Sequence, residues 1–322
     1  MQVKKTGLES SFRALSVIDD DVAWIGGSNG WVLVTVDGGL KWKSIRLPGH
    51  EESQFRSIYA FDQNRALVAN AGSPAVILLT EDQGMTWKEV YRDDNPKAFL
   101  DGMDFWDEGK GLAYGDPKDG RMNLVRTSDG GRTWKEITDD NRPLLEEGEA
   151  SFAASGTGIR TYANCRTVIS TGGSLSRLFI SDDCAEHWRE VTALMLKGVE
   201  SSGIFSSDFR DEKTAVVVGG DYLKPDSLLD HIFYTHDGGD NWHRPDMPTR
   251  GYRECVEHLG RGLWVAVGPS GMDYSVDNGE HWMPLSDEKG FHVIQKARKG
   301  ELVIMAGSEG VIAIFDPRNL IE

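Results

Sequence analysis

Aromatic–basic pairs punctuate the chain: Phe12-Arg13, Phe55-Arg56, Tyr252-Arg253 and Phe291-His292. Three guanidiniums and an imidazole brought to one place would grip a carboxylate, phosphate or sulfate, because an Arg fork matches the paired oxygens of such anions. Asp101, behind Leu100, falls at the same point of another segment. Carboxylates make a second set. Glu149 stands in GEASF after an acidic loop, Asp116 in GDPKDGR, and Asp221 and Tyr222 in GGDYLKPDSLLDH. Glu149 with Asp116 or Asp221 suits acid–base chemistry on a sugar, and Tyr222 or Tyr252 with His292 suits proton abstraction from a uronate. The plain alternative is that the Arg residues pair with neighbouring acids, Asp101 and Glu149 among them, or point into interfaces between sheets.

Composition narrows these choices. The 322 residues carry a formal net charge of −16, with 39% hydrophobic and 27% charged residues. A basic face for a phosphate backbone is therefore not expected, and nucleic acid is not an expected partner. No apolar run reaches eighteen residues, so no membrane span is expected. The first twelve residues lack an apolar core, and no signal peptide is visible. Cys165, Cys184 and Cys255 cannot all pair and match no zinc or CxxC spacing, so a disulfide scaffold is not expected. Asp226 and Asp230 lie too irregularly for a calcium loop, and the eight His are scattered, so no metal is expected. There is no GxGxxG after a strand and no P-loop, which argues against a nicotinamide-dependent oxidoreductase and gives no cofactor.

The elements that must position these side chains are read from a repeat. TVDGGLKW returns as TEDQGMTW, TSDGGRTW, SDDCAEHW, THDGGDNW and SVDNGEHW. The closing Trp residues, Trp42, Trp87, Trp134, Trp188, Trp242 and Trp282, recur at 45, 47, 54, 54 and 40 residues. Such periods mark a stacked or radial repeat. Each copy holds up to four short runs of alternating or apolar residues, which predicts a four-stranded antiparallel unit. The C-terminal FHVIQKARKGELVIMAGSEGVIAIFD supplies three runs of another copy, and the N-terminal QVKKTGL resembles its missing fourth. Six copies plus one split copy predict an all-β, seven-bladed β-propeller without open edges. The chain reads as a single domain, residues 1–322, with blades near 8–47, 55–92, 98–138, 149–192, 202–245, 252–286 and 291–316 plus 2–7.

The recurring figure resembles the Asp-box, or BNR repeat, of sialidase-type propellers. Over nearly the whole chain the arrangement is similar to the photosystem II stability/assembly factor-like (Ycf48-like) proteins. That resemblance implies a non-enzymatic assembly scaffold in a periplasmic or extracellular setting. The resemblance to true sialidases is thinner: the nearest string to their Arg-Ile-Pro is Arg46-Leu47-Pro48, which falls after a last strand rather than near the start of the fold.

In the box itself, Asp37, Asp82, Asp129, Asp183, Asp237 and Asp277 can accept backbone N–H groups of the turn that follows. The Gly two residues on supplies positive φ, and the Trp offers an apolar plate. Repeated six times, this is architecture rather than a catalytic site. Ala185 replaces that Gly in the fourth copy, which should be the most strained turn. Function is then sought at the innermost strands and irregular loops. The first reading is a monomeric, ligand-binding propeller that recognises or processes an anionic, uronate-like glycan through Arg13, Arg56, Asp101, Tyr252, Arg253 and His292. If catalytic, it would be a glycoside hydrolase or polysaccharide lyase using Glu149, Asp116, Asp221 or Tyr222. The alternative is a scaffold whose partner is a protein.

Overall fold

The innermost strand of each repeat is a run of small and apolar residues, such as Phe12–Val17 (FRALSV) and Phe55–Ala60 (FRSIYA). Almost every position in these runs is buried, because neighbouring sheets cover both faces of each strand. The computed structural model describes residues 1–137, 141–192 and 195–320. The fold is all-β, its only helical pieces being three short 3-10 turns among the described residues.

The described strands hydrogen-bond into seven antiparallel sheets. The first holds Phe12–Val17, Ala23–Gly27, Trp31–Thr35 and Lys43–Arg46, and the second Phe55–Ala60, Ala66–Asn70, Ala75–Thr80 and Lys88–Asp93. The third begins with Gly102–Phe105, the fourth with Ile159–Tyr162, the sixth with Cys255–Gly260 and the seventh with Phe291–Lys296. The N-terminal strand Gln2–Lys5 is the outer strand of the seventh, pairing from Gln2↔Ile314 to Lys5↔Val311. Residues 2–5 and 291–315 thus share one sheet.

The fifth sheet departs from the repeat. Val199–Phe209, Ala215–Asp221 and Ile232–Thr235 are joined by the two-residue strands Glu149–Ala150 and Gly172–Gly173, giving five strands. GEASF therefore does not open the fourth sheet; it pairs with Gly172–Gly173, beside the fifth. Beyond Ile232–Thr235 the expected outer strand shrinks to the single bridge Tyr234↔His243. Pro245 follows in HRPDMP, and proline cannot donate to a ladder.

Side chains staple the innermost strands to one another. Backbone N–H groups donate from Ala60 to Ser16 (3.0 Å), Met103 to Ser57 (2.9 Å), Thr161 to Asp104 (2.7 Å) and Phe209 to Tyr162 (2.9 Å). They continue from His258 to Asp208 (2.8 Å), Lys296 to Glu257 (3.0 Å) and Val17 to Gln295 (2.6 Å), the last returning from the seventh sheet to the first. Each innermost strand thus serves the next, and these bonds satisfy N–H groups that would be costly to bury unpaired.

All six boxes share one geometry. The Thr35 hydroxyl donates to Asp37 Oδ1 (2.9 Å) and accepts the Gly39 N–H (2.9 Å), while Asp37 Oδ1 accepts the Lys41 N–H (2.9 Å). The fourth copy keeps every one of these bonds, from Ser181 to Asp183, Ala185 to Ser181 and His187 to Asp183. Its strain lies in the backbone alone: Ala185 takes φ +66° where the other copies have glycine, at a cost of about 1 kcal/mol. One departure from the sequence reading lies beside it. Cys184 is disulfide-bonded to Cys165, nineteen residues back on the inner hairpin of the same sheet, while Cys255 stays free and buried. The two cysteines meet because the box folds back onto that hairpin, a contact their spacing in sequence does not announce.

Candidate functional site

At the mouth of the ring, one residue in each of four innermost strands bulges out of register. The slips fall between Phe12 and Ala14, Phe55 and Ser57, Ile204 and Ser206, and Phe291 and Val293. Arg13, Arg56, Phe205 and His292 are the bulged residues. Asp101 and Glu254 take the same place, since their N–H groups bond Tyr114 O and Val267 O just ahead of the paired residues Gly102 and Cys255. In the sixth sheet the position thus belongs to Glu254, one residue beyond Arg253. A one-residue step along a strand turns the side chain to the other face.

Glu254 organises the mouth. Its Oε2 accepts Arg13 Nη1 (2.9 Å) and His292 Nδ1 (2.6 Å), and Oε1 accepts the Tyr252 hydroxyl (3.3 Å). Burial opposes its charge, but the His292 hydrogen bond and the Arg13 guanidinium win and hold its carboxyl below the ordinary range. Arg56 lies close by, donating Nη1 to Ala153 O (3.2 Å); burial and then Arg13 depress its pKa. Arg253 is elsewhere. Fully buried, it forks onto Asp273 with Nε and Nη2, and Arg250 Nε bonds the same carboxylate (3.0 Å). The structure therefore brings Arg13, Arg56, His292 and Tyr252 together and sets Arg253 apart.

An aromatic platform adjoins these charges. Phe152 and Phe205 stack at 4.0 Å, with Tyr252 and Tyr222 edge-on to Phe205 at 4.8 and 6.2 Å. The loop after Ala215–Asp221 rises from it with Leu223, Leu228 and Leu229 exposed by 70%, 62% and 58%. Asp221 shapes that loop: almost fully buried, it accepts the Leu223 N–H (3.0 Å) in an Asx turn. Phe205 and Glu254 were hidden from sequence reading by the bulge. Five of the seven staple residues had a signal, since Ser16, Asp104, Asp208, Glu257 and Gln295 each lie three residues beyond one of these mouth positions.

The proposed acid–base groups are placed as follows. Glu149 is 1% exposed and bonded by Arg177 Nε (3.0 Å) and Nη2, the Thr171 hydroxyl (2.6 Å) and the Glu146 N–H (3.0 Å). Asp116 is half-buried and makes one long contact, from Ser151 N (3.5 Å). Burial raises its pKa, and raises that of Asp101 further with Asp116 beside it, against the pull of Arg56. Asp230 is paired to Arg244 (2.6 Å), and among the described residues no three His, Cys, Asp or Glu side chains gather to hold a metal ion. Along the axis below, a cavity of about 330 Å³ is lined by Asp104, Arg160, Asp208, Glu257 and Arg298. Its acids are already engaged as inter-sheet staples, and Arg160 donates to Glu257 (2.7 Å).

Sheets of this kind, with six boxes on their third-to-fourth connections, define an Asp-box β-propeller. Within that class its N-terminal third is similar to the Ycf48 family. The sequence model of the family described as "Photosynthesis system II assembly factor YCF48" matches residues 2–97, and that of the "BNR/Asp-box repeat" matches residues 233–244. No curated protein sequence matches the chain. Among solved structures it is similar to YCF48 bound to D1 peptide, at 16% identity and TM-score 0.71 over 98% of this chain and 94% of that one. YCF48 from Cyanidioschyzon merolae gives 18% identity and TM-score 0.71 over 99% and 100%. The GH74 xyloglucanase from Xanthomonas campestris gives 13% and 0.65, over 93% of this chain and 52% of the enzyme. At these identities the structures speak for the fold. No helix among the described residues is long and apolar enough to cross a membrane.

Proposed function

We propose that this protein is a non-catalytic docking propeller that holds a segment of a partner protein across its mouth. The observation that carries the reading is the exposed row of Leu223, Leu228 and Leu229 with half-exposed Tyr222, whose ring packs edge-on against buried Phe205, itself against buried Tyr252 near Arg13. Exposed apolar side chains clustered beside charge are what protein interfaces use. The likeness to a YCF48 structure that holds a D1 peptide supports the same reading.

A uronate-binding or uronate-cleaving site is less well served. Arg13 and His292 are bonded to Glu254 and Arg253 to Asp273, so three of the four groups expected to grip an anion already have carboxylate partners. Glu149 has both oxygens engaged. We also infer that the seven sheets are seven blades of one monomeric ring, with the boundaries given above except that the fourth blade starts at Ile159 and Glu149–Ala150 joins the fifth; the staple from Gln295 back to Val17 supports closure. The Cys165–Cys184 disulfide supports an oxidising, periplasmic or extracellular setting.

A displayed library of twelve-residue peptides, panned on the wild type and counter-selected on a Leu228→Asp/Leu229→Asp variant, tests the docking reading. It expects at least one peptide that binds the wild type tenfold tighter than the variant. Failure to enrich any peptide, together with turnover of uronate oligosaccharides, would overturn it.

A further inference from the structure

Buried polar side-chain atoms nearly always find hydrogen-bond partners. Under the mouth, between the second, third and fourth sheets, several that do not lie together: both carboxylate oxygens of Asp101, the hydroxyls of Tyr114 and Ser151, and Nε of Arg56. Tyr114 is fully buried and faces Gly102 across the strand pair. Two glycines make room for its ring, since a Cβ on Gly102 would stand 2.8 Å from Cε1 and one on Gly158 2.2 Å from the hydroxyl. The hydroxyl is thereby fixed in place without a partner. Asp101 and Asp116 both act electrostatically on it, and Asp116 acts on Asp101. Asp116 also lines a cavity of about 370 Å³ with Asp93, Asn95, Lys97 and Asn123, which opens the Asp116 side of the cluster to the rim, with buried Asp101 and Tyr114 behind it.

We propose that Asp101, Asp116 and Tyr114 form a subsite for a primary ammonium group, the end of a lysine side chain in the docked partner segment. The inference rests on the docking reading and adds a lysine to the segment's chemistry. An ammonium carries three donors on a compact head, matching two carboxylates and a phenol oxygen. A divalent metal fits less well, because only two acids converge here and the Arg56 guanidinium acts on the same Asp101. Arg56 is also an internal competitor: if it closes onto Asp101, the subsite takes no amine. Lys97, on the rim of the adjoining cavity, is a second.

The test uses n-butylamine as probe and n-butanol as its neutral counterpart, followed by ligand-observed NMR titration of the whole chain at pH 7. Saturable millimolar binding of the amine is expected, with none of the alcohol. Asp101→Asn and Asp116→Asn should each weaken it at least fivefold, and Lys97→Met should leave it equal or tighter. Tyr114→Phe, which removes only the hydroxyl, keeps the test available should an Asn variant fail to fold, and should weaken binding at least twofold. Equal response to butanol, no response to the amine, or unchanged binding in the Asp and Tyr variants would overturn the subsite. Leu228→Asp/Leu229→Asp should bind butylamine like the wild type, so loss of peptide docking with amine binding intact would sink the docking reading alone.

Discussion

Glu254 shows how much one residue decides at the mouth. It is 4% exposed and bonded to Arg13, His292 and Tyr252. Glu254→Gln leaves Arg13 without its anion, and breaking a buried pair from one side typically costs a few kcal/mol. Arg13 keeps Ala154 O (2.9 Å) and some solvent contact, so we expect a loss of roughly 2–3 kcal/mol, read as a lower urea midpoint at unchanged slope. An unchanged midpoint would mean that Arg13 is held by Ala154 alone. Arg13, Arg56 and His292 were legible in sequence because the aromatic before each marks the strand. Glu254 was not, since the register slip between His258 and Gly260 adds a residue further along the strand that no pattern of period two registers. That same slip sent Arg253 to Asp273.

In the box, the element is the unit, and its Asp carries the turn. Asp237 is held below the ordinary carboxylate range by the Asn241 N–H first and then the Asn241 and Thr235 side chains. Asp82 is lowered first by the Thr86 hydroxyl, and Asp37 by the Lys41 N–H. Asp183 falls to about 2: burial opposes the shift, and the His187 N–H and ring outweigh it. A carboxyl with a depressed folded pKa adds stability above its unfolded value near 3.9, and that stability is lost as pH falls through the folded value. Asp237→Asn removes the titrating group. The melting-temperature gap between wild type and variant should therefore be widest at pH 5 and close towards pH 2. A gap that stays constant over that range would show that charge plays no part in the box. The box was legible because Thr, Asp, Gly and Trp each answer a separate local demand at fixed spacing. The strands Glu149–Ala150 and Gly172–Gly173 were not: two residues carry no periodicity, and only their place beside Val199–Phe209 makes them strands.

For the whole molecule the question is how the ring is held shut, and two devices meet at the seventh sheet. The Val17 N–H reaches Gln295 across the inner seam, while Gln2–Lys5 covers the outer edge of Val311–Phe315. The outer device was legible because QVKKTGL resembles the fourth run of other copies. The inner staples depend on contacts between different sheets, to which sequence spacing points only once the bulge position is known. All four residues of Gln2–Lys5 are exposed, so the strand contributes little apolar burial and holds mainly through its ladder. In an antiparallel pair, successive N–H groups point alternately toward and away from the partner. Val3→Pro/Lys4→Pro must therefore delete one ladder bond whichever way the strand faces, and it leaves an unmade bond in the neighbouring strand. We expect a loss of roughly 2 kcal/mol, with a lower melting temperature by calorimetry. The uncovered edge Val311–Phe315 (VIAIF) is β-prone, uncharged and free of proline, the kind of edge that pairs with a second copy. Light scattering on the variant should show concentration-dependent dimers. A variant that melts with the wild type and stays monomeric would place the closure at the inner staples alone. Asp104→Ala, which strips the Thr161 N–H of its acceptor between the third and fourth sheets, would then become the more damaging change.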